Sequence, residues 1–266
     1  MFKINFIIWA LLIPLSCFGE VIEFGANESP PFWSKKMHAD GMCGEILQEM
    51  SVLAAVESNI SFKPLNRLIE DSQNNDLGNP SLYLQHSDFA SIIPIAVYRT
   101  AFYYYKPNHP SGIDLQSLAD LKQYKIGILK GTLVDRLAFE QQGIHFETSY
   151  KQQSIFKKLK LGRIDLALVI DLVGQQTVHA LYPNLKDQFS AIELANSASP
   201  IAIMLNEEQS NAKTIGAKYQ QALKALIDEG RYQQIIKKHT GQIDLASNWR
   251  EELERFSQLY NFVTEE

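Results

Sequence analysis

The sequence predicts an α/β protein of two lobes, because strand and helix patterns alternate along it and turn-rich connectors divide it. Short β-rich segments recur between helical patterns over most of the 266 residues, as in mainly parallel sheets flanked by helices. Two connectors interrupt the pattern, KPNHPSG from Lys106 to Gly112 and ANSASP from Ala195 to Pro200. Because two crossings between one pair of lobes enclose a segment, residues 108–195 are predicted to form an inserted lobe.

The N-terminal segment MFKINFIIWALLIPLSCFGE is predicted to be a secretory signal peptide. It has a lysine near its start and an apolar run from Phe6 to Leu15. This run is shorter than the ~20 residues that span a bilayer comfortably. Cys17 and Gly19 occupy the −3 and −1 positions of a cleavage site before Glu20, so residues 1–19 are predicted to be removed. An uncleaved anchor and lipidation at Cys17 are the open alternatives.

Composition and charge exclude several classes of protein. The net formal charge of −5 argues against a nucleic-acid partner, which would call for a basic stripe. Only Cys43 remains after cleavage, and an exported protein without a disulfide suits a bacterial periplasm. The six histidines lack metal-ligand spacing, and neither a P-loop nor a Gly-x-Ser-x-Gly elbow occurs. We therefore expect a periplasmic protein with no metal, no cofactor and no catalytic residue.

In the first lobe, residues 20–107, apolar and β-branched segments predict strands with a helix between them. The strands are VIEFGA from Val21, ISFKPL from Ile60 and TAFYYYK from Thr100. The helix is GEILQEMSVLAAVES from Gly44. TAFYYYK is interpreted as a hinge strand, because the first connector follows it.

The inserted lobe and the C-terminal part continue the alternation. KIGILKG, LALVID and FSAIEL predict strands of the inserted lobe, and LVDRLAFEQQ and SIFKKLKLG predict its helices. In residues 196–266 the strand PIAIML precedes two apolar helical stripes that Gly230 separates. Residues beyond Gly241 are predicted to fold back as a last helix, with Trp249 on the outer surface of the first lobe.

Four stretches in a fixed order span nearly the whole chain. They are Pro30-Pro31-Phe32 with the Gly-Met-Cys-Gly turn after it, SLADLKQYKIGILKGT from Ser117, KLKLGRIDLALVID from Lys158, and LIDEGRYQQIIKKHTG from Leu226. Together they resemble the bacterial extracellular solute-binding proteins of family 3, the periplasmic receptors of polar amino-acid uptake systems. The resemblance implies a type II-like periplasmic-binding-protein fold, in which two hinge strands join the lobes and hinge bending closes them over a ligand.

The resemblance also implies a function. A receptor of this kind captures a small polar or zwitterionic, amino-acid-like solute and delivers it to the membrane permease of an ABC transporter or to a sensor, and we expect a monomer. The alternative is a periplasmic enzyme, because cyclohexadienyl dehydratase resembles these binding proteins and uses acid catalysis in the cleft. An acid of raised pKa facing the ligand would distinguish the two, with Glu28 or Asp171 as the candidate.

The chain departs from the family at the arginine that clamps the ligand carboxylate. Amino-acid binders usually have a Thr-Pro-Glu-Arg-like motif. Here the matching region reads SLYLQHSDFASIIP, and no arginine stands between Arg67 and Arg99. Either arginine could replace the clamp, because a guanidinium group pairs well with carboxylate or phosphate. An exposed surface role is the alternative for each.

Phe32 and Trp33 follow two prolines in the loop after the first strand, and this loop lines the cleft in the family. A stiff loop would hold an aromatic platform in place before a ligand arrives. The indole of Trp33 suits a half-wet wall, because it is apolar with one polar edge. The alternative is that both rings belong to the core of the lobe.

Two polar residues at strand ends of the inserted lobe are also predicted to bind the ligand. Thr132 follows KIGIL and precedes a helical pattern, and the free amides of a helix N-terminus bind anions. Asp171 ends LALVID at the edge where α/β sheets bind ligands. In the family an acid there often meets a ligand ammonium group. A plain helix cap is the alternative for both residues.

Overall fold

The computed structural model describes residues 21–71, 73–130, 136–194, 197–242 and 244–263. The predicted signal peptide, with Cys17, lies outside these ranges, and so does the predicted ligand residue Thr132. Among the helices within them, none is both long enough and apolar enough to cross a bilayer.

The described strands and helices alternate for most of the chain and end in three consecutive helices. The strands are β1 (Ile22–Ala26), β2 (Ser58–Phe62), β3 (Asn75–Gly78), β4 (Phe89–Tyr98), β5 (Thr100–Tyr105), β6 (Ile126–Leu129), β7 (Phe146–Ser149), β8 (Leu166–Ile170), β9 (Phe189–Glu193) and β10 (Ser199–Asn206). The α-helices are α1 (Met42–Ala54), α2 (Leu65–Glu70), α3 (Arg136–Gln141), α4 (Gln152–Lys160), α5 (Asp171–Leu181), α6 (Ala212–Asp228), α7 (Arg231–Thr240) and α8 (Leu245–Val263).

The first lobe is built on a mixed sheet with the strand order β2-β1-β3-β10-β4. β1 is parallel to β2 and β3, whereas β10 is antiparallel to β3 and β4. α1, α6 and α7 pack against one another, and α8 packs along β4. One hydrophobic cluster joins these elements into a continuous core.

The second lobe is built on a mixed sheet with the strand order β7-β6-β8-β5-β9. β6 is parallel to β7 and β8, and β5 is antiparallel to β8 and β9. One hydrophobic cluster includes side chains of α4 and α5, and another includes Leu121, Ile126 and Phe146. Two mixed sheets with flanking helices confirm the predicted two-lobed α/β fold.

The first crossing between the lobes lies earlier than predicted. β5 pairs with β8 and β9, so the whole aromatic strand from Thr100 belongs to the second sheet. The chain therefore crosses at Arg99, whereas the predicted boundary follows residue 107. The turn-rich connector that begins at Lys106 ends a strand inside the second lobe, which explains why its composition misplaced the boundary. The second crossing runs from Glu193 to Ser199.

The last helix forms as predicted, but its tryptophan lies inside the lobe. Apolar side chains spaced three or four residues apart make one stripe of α8, and this stripe belongs to the first core: Ala246, Trp249, Leu253, Phe256 and Tyr260. Trp249 is only 3% exposed. Its predicted position on the outer surface is therefore wrong, because the indole falls on the face that α8 buries.

Candidate functional site

The two crossings bring the carboxyl ends of the parallel strands in both lobes to face each other. β4 ends at Tyr98, which pairs with Ser199, on the edge where β3 ends at Gly78. β5 begins at Thr100, which pairs with Ile170, the last residue of β8. Parallel strands of one sheet end at a common edge, where open α/β sheets bind ligands.

We call these two facing edges the cleft edges. The first edge comprises the residues that follow β1, β2 and β3, namely Asn27, Lys63 and Asn79. The second edge comprises the residues that follow β6, β7 and β8, namely Lys130, Tyr150 and Asp171. At each edge, polar residues follow three strands.

Short hydrogen bonds connect the two crossings. The Asp171 N–H donates to the Arg99 carbonyl at 2.9 Å. Ser197 Oγ accepts from the Thr100 N–H at 3.1 Å and lies 3.3 Å from the Thr100 carbonyl oxygen. Leu172, at the start of α5, belongs to the hydrophobic cluster of the first lobe. The lobes are thus joined at a hinge, and α5 of the second lobe starts beside it.

The loop after β1 is fixed to the N-terminus of α1. The first helical amides would otherwise lack partners, and here the N–H groups of Met42 and Cys43 donate to the carbonyls of Pro31 and Phe32 at 2.9 and 3.0 Å. Gly41 has a φ of 101°, and a Cβ at this position would lie 2.6 Å from the Phe32 carbonyl oxygen. A glycine is therefore required where the loop approaches the helix.

Both aromatic rings of this loop are buried in the first lobe. Phe32 is 0% and Trp33 is 1% exposed, and the backbones of Ser29 and Trp33 exchange hydrogen bonds of 2.8 and 3.1 Å. The expectation of a half-wet wall at Trp33 is wrong for this structure, because the loop folds the indole inward. The alternative of core residues describes both rings, and ligand binding by either ring stays an untested prediction.

The two candidate arginines lie on different elements of the structure. Arg67 lies in α2, in an open groove lined by Lys63, Arg67 and other residues of the α2 segment. Arg99 lies at the first crossing, where its Nη2 is 3.6 Å from Glu252 Oε1 of α8. A clamp made by Arg99 would have to compete with this ion pair. Ligand binding by Arg67 or Arg99 stays a prediction.

Asp171 begins α5, as the strand pattern predicts, but its carboxylate is engaged within the second lobe. One oxygen accepts from the Tyr103 hydroxyl at 2.7 Å, and the other accepts from Gln175 Nε2 at 3.1 Å. Burial raises the pKa of Tyr103, and the hydrogen bond to Asp171 raises it further. Asp171 shares a groove with Phe189 and Glu193, and second-lobe residues line this groove. Whether the carboxylate meets a ligand stays a prediction.

Two cleft-edge residues of the second lobe were missed in the sequence. Lys130 Nζ lies 3.1 Å from the Tyr150 hydroxyl and 4.9 Å from the centroid of its ring. Tyr150 is 80% exposed. Both residues directly follow a strand, which is the signal that selected Asp171. Tyr150 was missed because β7, with the sequence FETS, is too short and polar to be recognised as a strand. Lys130 follows β6, which was recognised, but Thr132 was selected there instead.

On the first edge, Asn79 was missed for a similar reason. Its Nδ2 donates to the Tyr98 hydroxyl at 2.7 Å, and its Oδ1 accepts from the Ser81 N–H at 3.0 Å. β3 comprises only Asn75–Gly78, so no apolar run marks it in the sequence. The hydrogen bonds hold a polar side chain beside the first crossing.

Asp76 of β3 is a carboxylic acid sealed inside the first lobe. It is 0% exposed, and within the described structure neither of its oxygens has a hydrogen-bond partner. A Cβ on Gly25 would lie 2.8 Å from Asp76 Oδ1 and 2.5 Å from Leu68 Cδ2, so the missing side chain of Gly25 makes room for the acid. The hydroxyl of Tyr83 is likewise buried without a partner in the described residues.

The apolar surroundings keep this acid neutral. Burial raises the pKa of Asp76 to about 8, the charge of Asp71 adds to the rise, and Lys63 opposes it. Burial also raises the pKa of Tyr83, with a further contribution from Asp76. Asp76 therefore has a strongly raised pKa, yet it is fully buried and has no surface on the cleft. In the described part of the chain, no group of three His, Cys, Asp or Glu residues could hold a metal ion.

No family model matches the chain, and no curated protein matches its sequence. Several solved structures match its fold. A histidine kinase sensor domain with similarity to periplasmic binding proteins has a TM-score of 0.67 at 15% identity, over 84% of this chain and 97% of that one. An ancestral arginine-binding protein has a TM-score of 0.64 at 19% identity, over 82% and 97%.

A third match is the arginine-, lysine-, histidine-binding protein ArtJ from the thermophilic bacterium Geobacillus stearothermophilus. Its TM-score is 0.61 at 18% identity, over 84% of this chain and 96% of that one. These likenesses confirm the fold that the resemblance implied. The chain has the two-lobed architecture found in substrate-binding proteins of amino-acid transporters and in a sensor domain.

Proposed function

We propose that this protein captures a small polar, amino-acid-like solute between its lobes and presents it to the permease of an ABC transporter or to a sensor. The observation that supports this most is the pair of facing cleft edges. Polar residues follow three strands of each lobe, and two crossings join the lobes at these edges. Hinge bending at such crossings would enclose a solute and release it again.

The fold matches support the same reading. The two binding proteins described above bind amino acids, and the sensor domain has the same architecture. We extend this to a periplasmic location, reached through a signal peptide cleaved after Gly19, and to a monomeric state. The intact mass of protein recovered from the periplasm tests the cleavage site, and a diacylglyceryl adduct on Cys17 would contradict it.

A binding role fits the acids of the molecule better than a dehydratase-like enzyme does. Catalysis of that kind needs an acid of raised pKa that faces the ligand. Asp76 has the raised pKa, but its burial separates it from the cleft. The carboxylate of Asp171 already accepts two hydrogen bonds from within its own lobe. We therefore propose a receptor without catalytic activity.

Native mass spectrometry of freshly purified protein tests the proposal directly. We expect a co-purified small molecule that leaves on gentle unfolding, and calorimetry with the identified molecule should give one site per chain. Small-angle scattering should show the protein becoming more compact on binding. A protein that carries no solute and gives no heat with any polar solute would contradict the proposal. Steady conversion of the bound molecule would instead favour the enzyme.

A further inference from the structure

We propose that the cleft accepts a ligand of net negative charge, one with a carboxylate or phosphate group, and that Lys130 and Tyr150 bind this group from the second lobe. This inference rests on the proposed function, because it assigns a ligand class to the same cleft. It follows from two charged residues at the cleft edges, because the carboxylate of Asp171 has hydrogen-bond partners within its own lobe, whereas the exposed Lys130 has a neutral one.

Three acids at or near the cleft edges have partners within their own lobes. Both oxygens of Asp171 accept hydrogen bonds, from Tyr103 and from Gln175. In the loop after β1, Glu28 Oε1 accepts from the Lys35 N–H at 3.2 Å. Glu147, on β7, is paired with Lys158. Their negative charges are therefore partly satisfied, and a ligand cation would have to displace existing hydrogen bonds.

The lysines at the edges are placed differently. Within the described residues, the hydrogen-bond partner of Lys130 Nζ is the neutral hydroxyl of Tyr150, at 3.1 Å. On the opposite edge, Lys63 Nζ is 3.8 Å from Asp71 Oδ2, with both side chains more than one-third exposed. Exposed pairs at this distance contribute little to stability, so the pairing with Asp71 leaves Lys63 available to a ligand. Lys151 adds a third exposed cation directly after Tyr150.

Tyr150 gives the lysine a fixed position and gives a ligand a surface. The ammonium group lies 4.9 Å from the ring centroid, within the range of a cation–π contact. Lys158 Nζ donates to Ser149 Oγ at 3.1 Å and so holds the strand end from which Tyr150 projects. A ligand anion at Lys130 could accept hydrogen bonds from the ammonium and the phenol together. Binding there would also cover a ring that is 80% exposed.

Calorimetry with charged and neutral probes tests the ligand class. The anionic probes are L-glutamate, L-aspartate, succinate and inorganic phosphate; L-glutamine is the neutral probe and L-arginine the cationic one. The protein is first dialysed exhaustively against urea and refolded, so that a co-purified solute is removed. We expect at least one anion to bind, and to bind at least tenfold more tightly than glutamine or arginine.

Substitutions at the two ends of β6 test the assigned residues. Lys130→Gln removes the cation at the cleft edge and should weaken the bound anion by about 10- to 100-fold, the loss typical of a charge-assisted hydrogen bond. Lys125→Gln is the matched control, because Lys125 is an exposed lysine at the opposite end of the same strand. It should leave the affinity unchanged. Tyr150→Phe retains the ring and should weaken binding by about two- to tenfold.

The outcomes separate this inference from the proposed function. Binding of glutamine or arginine with no anion bound would overturn the ligand class and leave the receptor function standing. An anion that binds equally well to wild-type protein and to a folded Lys130→Gln variant would overturn the role of Lys130. Absence of binding by all four anions would also overturn the inference, while the co-purified solute would decide the receptor function independently.

Discussion

Replacing Asp76 by asparagine should stabilise the first lobe increasingly as the pH rises from 4 to 8. The wild-type acid is buried without a hydrogen-bond partner in the described structure, and its native pKa is raised to about 8. The unfolded chain has an ordinary aspartate pKa of about 3.9. Between these values the native state retains a proton that the unfolded state has lost, so the free energy of unfolding decreases as the pH rises.

The size of the effect follows from the two pKa values. Each pH unit between them lowers the free energy of unfolding by about 1.4 kcal/mol. At pH 7 the native carboxyl has retained its proton over about three pH units, so Asp76 lowers the free energy of unfolding by about 4 kcal/mol. Asparagine has nearly the same shape and no proton to retain. Asp76→Asn should therefore raise the free energy of unfolding, relative to wild type, by about 4 kcal/mol at pH 7 and about 1.5 kcal/mol at pH 5. At pH 3 it should leave this free energy unchanged.

Urea unfolding monitored by tryptophan emission measures this difference, because Trp33 and Trp249 are both buried in the first lobe. Asp228→Asn serves as the control, since Asp228 is an exposed acid paired with Lys224 in α6. It should change stability by less than about 0.5 kcal/mol at every pH. An Asp76→Asn variant with the same pH slope as wild type, or with lower stability at pH 7, would refute the reasoning.

Two further predictions concern ion pairs of α7 and α8. Although burial opposes it, hydrogen bonding to Lys238 and His239 lowers the pKa of Glu45, so Glu45 contributes stability above its unfolded pKa of about 4.3. Glu45→Gln should cost about 1–3 kcal/mol at pH 7 and much less at pH 3, and equal losses in urea unfolding at both values would contradict this. Glu252→Gln removes the ion-pair partner of Arg99. It should change the ratio of open to closed populations, measured from distances between spin labels on the two lobes, by about 1.5- to fivefold. Unchanged distances would show that the pair does not restrain the hinge.

Much of the fold could be predicted from sequence because most strands are marked by apolar runs. IGIL, LALVI and PIAIML all form strands, and the stripe from Trp249 to Phe256 forms a helix. The boundary at Arg99 could not be predicted, because the sequence of an aromatic strand and its following turn does not indicate which of the two lobes they belong to. β5 belongs to the second lobe because it pairs with β8 and β9, and this pairing depends on residues far away in the chain.

The candidate site was harder to predict because position at an edge says little about side-chain direction. Asp171 was placed correctly at the start of α5, but the Tyr103 hydroxyl that binds its carboxylate comes from another strand. Trp33 was expected to form a half-wet wall because an indole tolerates water, and only its role in ligand binding stays a prediction. The carbonyls of Pro31 and Phe32 accept hydrogen bonds from the first amides of α1, and the indole beside them is buried in the lobe.

The position of β10 in the first sheet has a consequence for the order of folding. β10 lies between β3 and β4, yet the whole second lobe precedes it in the chain. The second lobe is contiguous, from Thr100 to Glu193, so it can fold as soon as it emerges during synthesis. The first lobe must wait, with a gap in the middle of its sheet and without the apolar face of α8. We expect a chain truncated before Ser199 to retain slow hydrogen exchange in β6 and β8 and to lose it in β1 and β3.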